Sequence, residues 1–169
     1  RALIRKIRQV YKGKLIYAAN FDEEFQQINF WGELDYIGVQ AYFPLTTASK
    51  PNLETLKKGW EKPIAELQAI HRKFKLPIIF TEVGYRSTED AAIEPWKWPQ
   101  HDSEAKACVE TQAICYEAFF ETVWKKDWVA GAYFWKWYPE GPHRMAEIDF
   151  TPQGKPAEKV LSQYYKSGS

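Results

Sequence analysis

Glu82 closes the apolar run Pro77-Ile78-Ile79-Phe80-Thr81, and Gly84 stands two residues on, where the backbone can turn away at once. A carboxyl group placed after such a run faces a partly desolvated site, which suits a nucleophile or a general base. The competing role is one half of a buried ion pair, with Arg86 or Lys136 as its partner. Flat apolar surfaces lie elsewhere in the chain. Trp135 and Trp137 end the run Val129-Ala130-Gly131-Ala132-Tyr133-Phe134, and Trp96 and Trp98 stand in a loop. An indole ring packs against the axial C–H face of a pyranose while nearby polar groups take the hydroxyls. The competing role for these rings is core filling or packing of the loop on its own domain. Asn20, Gln40 and Tyr42 also sit at or just beyond the ends of apolar runs, and Arg86 follows Glu82 closely.

The elements that must hold these residues alternate. Apolar positions Leu3, Ile4, Ile7 and Val10 have helical spacing over Ala2–Tyr11, with Gly13 as the expected stop. Leu15–Ala19 reads as a first strand, Asp22–Trp31 as a short helix and Tyr36–Tyr42 as a second strand. A long helix is expected from Pro51 or Asn52 to about Lys75, kinked at Pro63. Pro77–Glu82 is the third strand. A loop from Ser87 to about Asp102 leads to a helix from Ser103 to about Lys126. Val129–Trp135 is the fourth strand, and Pro156–Tyr165 the last helix. Near-continuous apolar strands separated by helices imply a parallel sheet covered on both faces. Such sheets bind ligands at the carboxyl ends of their strands, which places Asn20, Gln40, Tyr42, Glu82 and Trp135 along one rim.

Other chemistries find less support. The acids Asp22, Glu23 and Glu24 fit a helix N-terminus, and Glu33 and Asp35 precede a strand, at the rim opposite the proposed site. Glu140, Glu147 and Asp149 follow the fourth strand on the proposed rim. His71, His101 and His143 are scattered without ligand partners at motif spacing, so neither a metal nor another cofactor is expected. Cys108 and Cys115, seven apart on one expected helix, would lie about 10.5 Å apart at about 1.5 Å per residue, too far for a disulfide. There are 23 Lys and Arg against 22 Asp and Glu, a formal net charge of +1, which offers no basic patch for nucleic acid. No run approaches the roughly 18 apolar residues of a membrane span. The 8 Trp, 10 Tyr and 10 Phe supply ample ring surface for a core and for a sugar.

Several segments resemble glycoside hydrolase family 113, the β-mannanase-like enzymes. Leu34-Asp35-Tyr36-Ile37-Gly38-Val39-Gln40-Ala41-Tyr42-Phe43-Pro44-Leu45 is similar to that family's sixth strand, and Pro77 to Ser87, with Thr81-Glu82-Val83-Gly84-Tyr85-Arg86-Ser87, to its seventh. Gly131 to Pro139 resembles its eighth strand, and Thr151-Pro152-Gln153-Gly154-Lys155-Pro156-Ala157 its closing segment. The resemblance implies an α/β fold, a (β/α)8 TIM barrel, of which residues 1–169 would be the C-terminal half: strands five to eight with their helices. It implies retaining hydrolysis of β-1,4-linked mannan with Glu82 as nucleophile, Tyr42 orienting it and Trp135 flooring the attacked sugar's subsite. Asn20, Gln40, Arg86, Trp96, Trp98 and Trp137 match substrate-binding rim positions more loosely.

Four strand–helix units are half the complement of a barrel of roughly 250 residues. The acid/base Glu, which in this clan follows strand four, is therefore expected upstream of Arg1, and the isolated chain is expected to be inactive. The opening at Arg1 instead of Met points the same way. Unpaired strand edges imply the missing half or self-association as partner. The alternative function is a non-catalytic carbohydrate-binding half-barrel or assembly partner for a β-linked polysaccharide. An open doubly wound sheet with unrelated chemistry is a third possibility. The sequence assigns no compartment; an extracellular or periplasmic one would suit a polysaccharide hydrolase.

Overall fold

The computed structural model describes residues 1–98, 105–140 and 147–167. Helix α1 (Ala2–Val10) precedes β1 (Ile16–Ala19), α2 (Glu24–Gln27), a 3-10 turn (Trp31–Glu33) and β2 (Tyr36–Gln40). Helices α3 (Leu53–Gly59) and α4 (Glu61–Phe74) lead to β3 (Ile78–Val83). Helix α5 (Val109–Phe119) runs into a π-helical segment (Phe120–Trp124), followed by β4 (Val129–Phe134) and α6 (Pro156–Ser167). The strands form one sheet in the order β1-β2-β3-β4, and every neighbouring pair is parallel.

Local chemistry explains where the elements depart from the spacing pattern. Helix α1 ends at Val10 because Tyr11 is already extended, so Gly13 is not its cap. Helix α2 is one turn long, and its N-cap residue, Glu23, makes no capping side-chain bond. Glu24 instead accepts hydrogen bonds from the Asn20 N–H and the Tyr17 hydroxyl, both at 2.7 Å. Those bonds, the backbone one foremost, lower its pKa. The long helix is two helices. Asn52 Oδ1 accepts from the Thr55 N–H at 2.9 Å and caps the first. The break falls at Trp60, three residues before Pro63. A proline ring clashes with the carbonyl four residues earlier; here that residue is Gly59, where α3 ends, and Pro63 falls in the first turn of α4 where its missing N–H has no partner to lose. Helix α5 begins at Val109, later than the spacing suggests. Residues 105–108 are non-helical: Ala107 bridges Thr88, and Cys108 N–H donates to the Ser87 carbonyl at 2.8 Å. Ser103 lies outside the described residues. Cys108 thus precedes the helix that buries Cys115, and both are free thiols.

The core lies between the sheet and the helices. Ile37, Val39, Ile78 and Phe80 face Leu56, Trp60, Leu67, Ile70 and Phe119. Phe119 is its hub, with ring centroids of Phe80 at 5.4 Å, Phe120 at 5.5 Å, Trp60 at 5.9 Å, Phe134 at 6.0 Å and Trp124 at 6.3 Å. The sheet's outer strands are bare by comparison. Strands β1 and β4 each have one neighbour, Ile16, Tyr17 and Tyr133 are exposed, and α1 buries no residue. Replacing Phe119 by Ala deletes a ring from five aromatic contacts and leaves a cavity. The expected cost is about 3–5 kcal/mol, read as a lower urea midpoint with little change in slope.

Candidate active site at the carboxyl ends of the strands

Strands β2 and β3 run in step through Ile37↔Ile78, Gly38↔Ile79 and Val39↔Phe80, then slip so that Gln40 pairs with Glu82. Thr81 is the extra residue, a bulge at the end of a parallel pair. Side chains alternate between the faces of a strand, and Phe80 points at the helices, against Phe119. Without the slip Glu82 would follow it there. With the slip, Glu82 shares the face of Gln40. Gln40 Nε2 donates to Glu82 Oε1 at 2.8 Å, and the Tyr42 hydroxyl donates to Oε2 at 2.7 Å. The Ala41 N–H donates to the Glu82 carbonyl at 2.7 Å and continues the pairing past the bulge.

The partners of Glu82 are neutral. The ion pairs considered from sequence do not form: Arg86 reaches Asp90 at 3.5 Å and Lys136 reaches Asp149 at 3.2 Å. Burial, and then the hydrogen bond to Glu82, push the Tyr42 phenol far above the usual tyrosine range. Tyr42 is therefore a fixed donor to Glu82.

Aromatic rings stand along the same rim. Trp96 stacks at a tilt on Phe21, 5.0 Å between centroids, beside the end of β1. Trp98 meets Phe150 edge-on at 5.2 Å, beside the end of β4, with the Lys136 ammonium 5.0 Å from its ring. The two loop tryptophans therefore lean to opposite sides. Trp135 is tied to the end of β3, its N–H donating to the Val83 carbonyl at 2.8 Å. Gly84 allows this approach, since a Cβ there would sit 2.5 Å from the Trp135 carbonyl oxygen. Trp135 and Trp137 keep 45% and 55% of their surface exposed, too much for core residues.

A buried polar network joins the loops after β3 and β4. Gln112 Nε2, from α5, donates to the carbonyls of Tyr85 at 2.8 Å and Phe150 at 3.0 Å. Lys155 Nζ donates to Ser87 Oγ at 2.8 Å and to the Asp149 carbonyl at 3.1 Å. The Asp149 carboxylate accepts from the Tyr138 hydroxyl at 2.7 Å and from its neighbour's N–H, that of Phe150, at 2.6 Å. Burial lowers the Lys155 pKa to about 8, against a smaller opposing pull from Asp149.

The structure brings Gln40, Tyr42 and Glu82 into direct contact and sets Trp98 one ring away through Phe150. Asn20 is exposed beyond β1. Arg86 stands apart: its guanidinium is 3% exposed, so it presents no open donor surface to a substrate. Asp35 accepts from the Leu15 N–H, Arg8 and Lys14 at the far end of the sheet. His101 and His143 lie outside the described residues, and among those residues no group of three metal-ligating side chains converges. Sequence reasoning missed Phe150, Gln112 and Phe21. The available signal for Phe150 was its neighbour Asp149, a carboxylate after the fourth strand; for Gln112 it was a polar side chain among the apolar residues of its helix.

A parallel strand–helix sheet with one gripped carboxylate and exposed indoles at its carboxyl rim is the build of half a (β/α)8 barrel. Residues 1–155 match the model of Glycoside Hydrolase Family 113, and the chain belongs to that family. Two solved structures of GH113 β-1,4-mannanase, one of them a complex, superpose with TM-scores of 0.80 at 27% and 28% identity. Each covers 98% of this chain and 50% of the mannanase. The GH113 β-mannanase of Alicyclobacillus acidocaldarius, in complex with ManMIm, superposes at TM-score 0.82 with 24% identity over 99% of this chain and 50% of its own. The β-glucuronidase of Ruminococcus gnavus shares the fold at 15% identity and TM-score 0.64, over 96% of this chain and 28% of its own. The chain thus spans about half the length of the mannanases it matches. No curated protein matches it.

The Lys155 network has a pH signature. Between about pH 8 and pH 10.5 the unfolded chain still holds the proton that folded Lys155 has lost, so this lysine's contribution to stability rises with pH. Urea midpoints of the parent and of Lys155→Met, compared across that window, are expected to diverge in the parent's favour; a constant difference would contradict the assignment.

Proposed function

We propose that this chain supplies the nucleophile and much of the sugar-binding surface of a retaining endo-β-1,4-mannanase, with Glu82 as the nucleophile. The observation that carries this is the grip on Glu82: both carboxylate oxygens accept from neutral donors on the neighbouring strand, at the rim where barrel enzymes act. A carboxylate held this way is aimed but not neutralised by a cation.

In the intact barrel one Glu82 oxygen attacks the anomeric carbon, the glycosidic C–O bond breaks, and a glycosyl-enzyme forms. A second carboxyl group, about 5–5.5 Å away in retaining enzymes, protonates the leaving oxygen and then takes a proton from the water that releases the sugar. We assign residues 1–169 to the C-terminal half of the barrel and that second carboxyl to the other half. Tyr42 and Gln40 orient Glu82. Trp135 floors the attacked sugar's subsite, and Trp96, Trp98, Trp137 and Asn20 extend the sugar surface. Arg86, being buried, serves by holding the loop through Asp90. The partner is a β-linked mannan-type polysaccharide.

The exposure of Trp135 and Trp137 also favours a second reading, a non-catalytic half-barrel that grips sugar without Glu82. Mannooligosaccharide binding that survives Glu82→Ala and disappears in Trp135→Ala would select it.

In the complete barrel, Glu82→Gln is expected to fold normally and lose on the order of 10³-fold or more in kcat, and in the parent a 2-deoxy-2-fluoro mannoside with an activated leaving group is expected to release that group and leave a 2-deoxy-2-fluoromannosyl ester on the peptide containing Glu82. The chain on its own is expected to be inactive. Mannanase activity from residues 1–169 alone, abolished by Glu82→Gln, would overturn the division of the site between two halves.

A further inference from the structure

Phe150 lies in the loop before α6, yet it is 2% exposed and its backbone is fixed at both polar groups. Its N–H donates to Asp149 Oδ1 at 2.6 Å, and its carbonyl accepts from Gln112 Nε2 at 3.0 Å. Asp149 is itself held by Lys136 and Tyr138. This ring is not part of the aromatic cluster around Phe119. Among the described residues its ring pairs are Tyr42, at 6.3 Å and 80°, and Trp98, at 5.2 Å and 63°. Both are edge-to-face contacts, which fix orientation as well as distance.

A tyrosine side chain has two free torsions, and the hydrogen bond to Glu82 constrains only its tip. The body of the Tyr42 ring needs a second support, and among the described residues Phe150 is the ring that pairs with it. The same ring supports Trp98, which also lies under the Lys136 ammonium. We propose that Phe150 is a positioning residue for the hydrolytic site: its ring sets Tyr42 against Glu82 and seats Trp98 beside them. The role rests on the reading of Glu82 as the reacting carboxylate. It makes the loop after β4, clamped by Gln112 and Asp149, part of the machinery that aims a carboxylate on β3.

The test uses the complete barrel labelled with [13Cζ]tyrosine, with Tyr42→Phe to assign the signal. In the parent, the Tyr42 signal stays protonated through the range where ordinary tyrosines titrate. In Phe150→Ala it is expected to begin to titrate at a pH where the parent's signal does not move. On a mannooligosaccharide, Phe150→Ala is expected to lower kcat about tenfold or more. That loss is expected to vanish when Tyr42 is already Phe, and any rise in KM to vanish when Trp98 is already Ala. Should the Ala variant not fold, Phe150→Leu keeps most of the volume, loses the ring edge and is measured instead. An unmoved Tyr42 titration, or losses that multiply in the double variants, would overturn the proposal even if the parent is active. Full activity in Glu82→Gln would instead sink the functional reading, and the tyrosine titration would still decide the contact.

Discussion

A strand can present a side chain only to one face or the other, and one surplus residue decides which. The slip at Thr81 is the constraint on which the candidate site depends. Phe80 has to face the helices because the core hub, Phe119, waits there. Glu82 has to face the other way to meet Gln40 and Tyr42. In a regular strand, two residues apart means the same face, and these two demands conflict. The bulge resolves the conflict within three residues, so that one strand serves the core and the rim in turn.

The two cations considered as partners for Glu82 are both paired elsewhere. Arg86 is buried beside Asp90, and Lys136 is shared between Asp149 and the faces of Trp98 and Tyr138. Both cations are thereby committed elsewhere, and the donors left for Glu82 are an amide and a phenol. A neutral donor fixes the geometry of a carboxylate without forming an ion pair with it. The Asp149 network thus works at a distance: it holds the cation away from the carboxylate and braces the loop that carries Phe150.

Much of this was legible in the sequence, for identifiable reasons. The four strands were readable because parallel strands covered by helices leave uninterrupted apolar runs, and Glu82 was readable because it ends one of them. Helix boundaries were less so. The expected kink at Pro63 became a break ending at Gly59, since the proline's steric demand falls four residues upstream. The acids Asp22 to Glu24 looked like a cap, but Glu24 turned back to Asn20 and Tyr17. The face of Glu82, the pairing of Lys136 with Asp149 and the seat of Trp98 on Phe150 were not readable. Each depends on the register between segments far apart in the chain, and no local pattern encodes that. The burial of Arg86 beside Asp90 was hidden for the same reason: its place near Glu82 in sequence says nothing about the direction in which the loop turns.

Seven of the eight tryptophans sort into two groups, and the eighth, Trp124, is half-buried between them. Trp31 and Trp60 are fully enclosed and Trp128 nearly so, whereas Trp96, Trp98, Trp135 and Trp137 each leave about two-fifths or more of their surface to solvent, and all four stand on the loops at the carboxyl ends of β3 and β4. Indole emission shifts to longer wavelength as water reaches the ring. The red edge of this protein's fluorescence therefore originates at the rim, and its blue edge in the core. A collisional quencher samples the first population and leaves the second dark to it, so the molecule carries a native optical label on the surface where a sugar would rest.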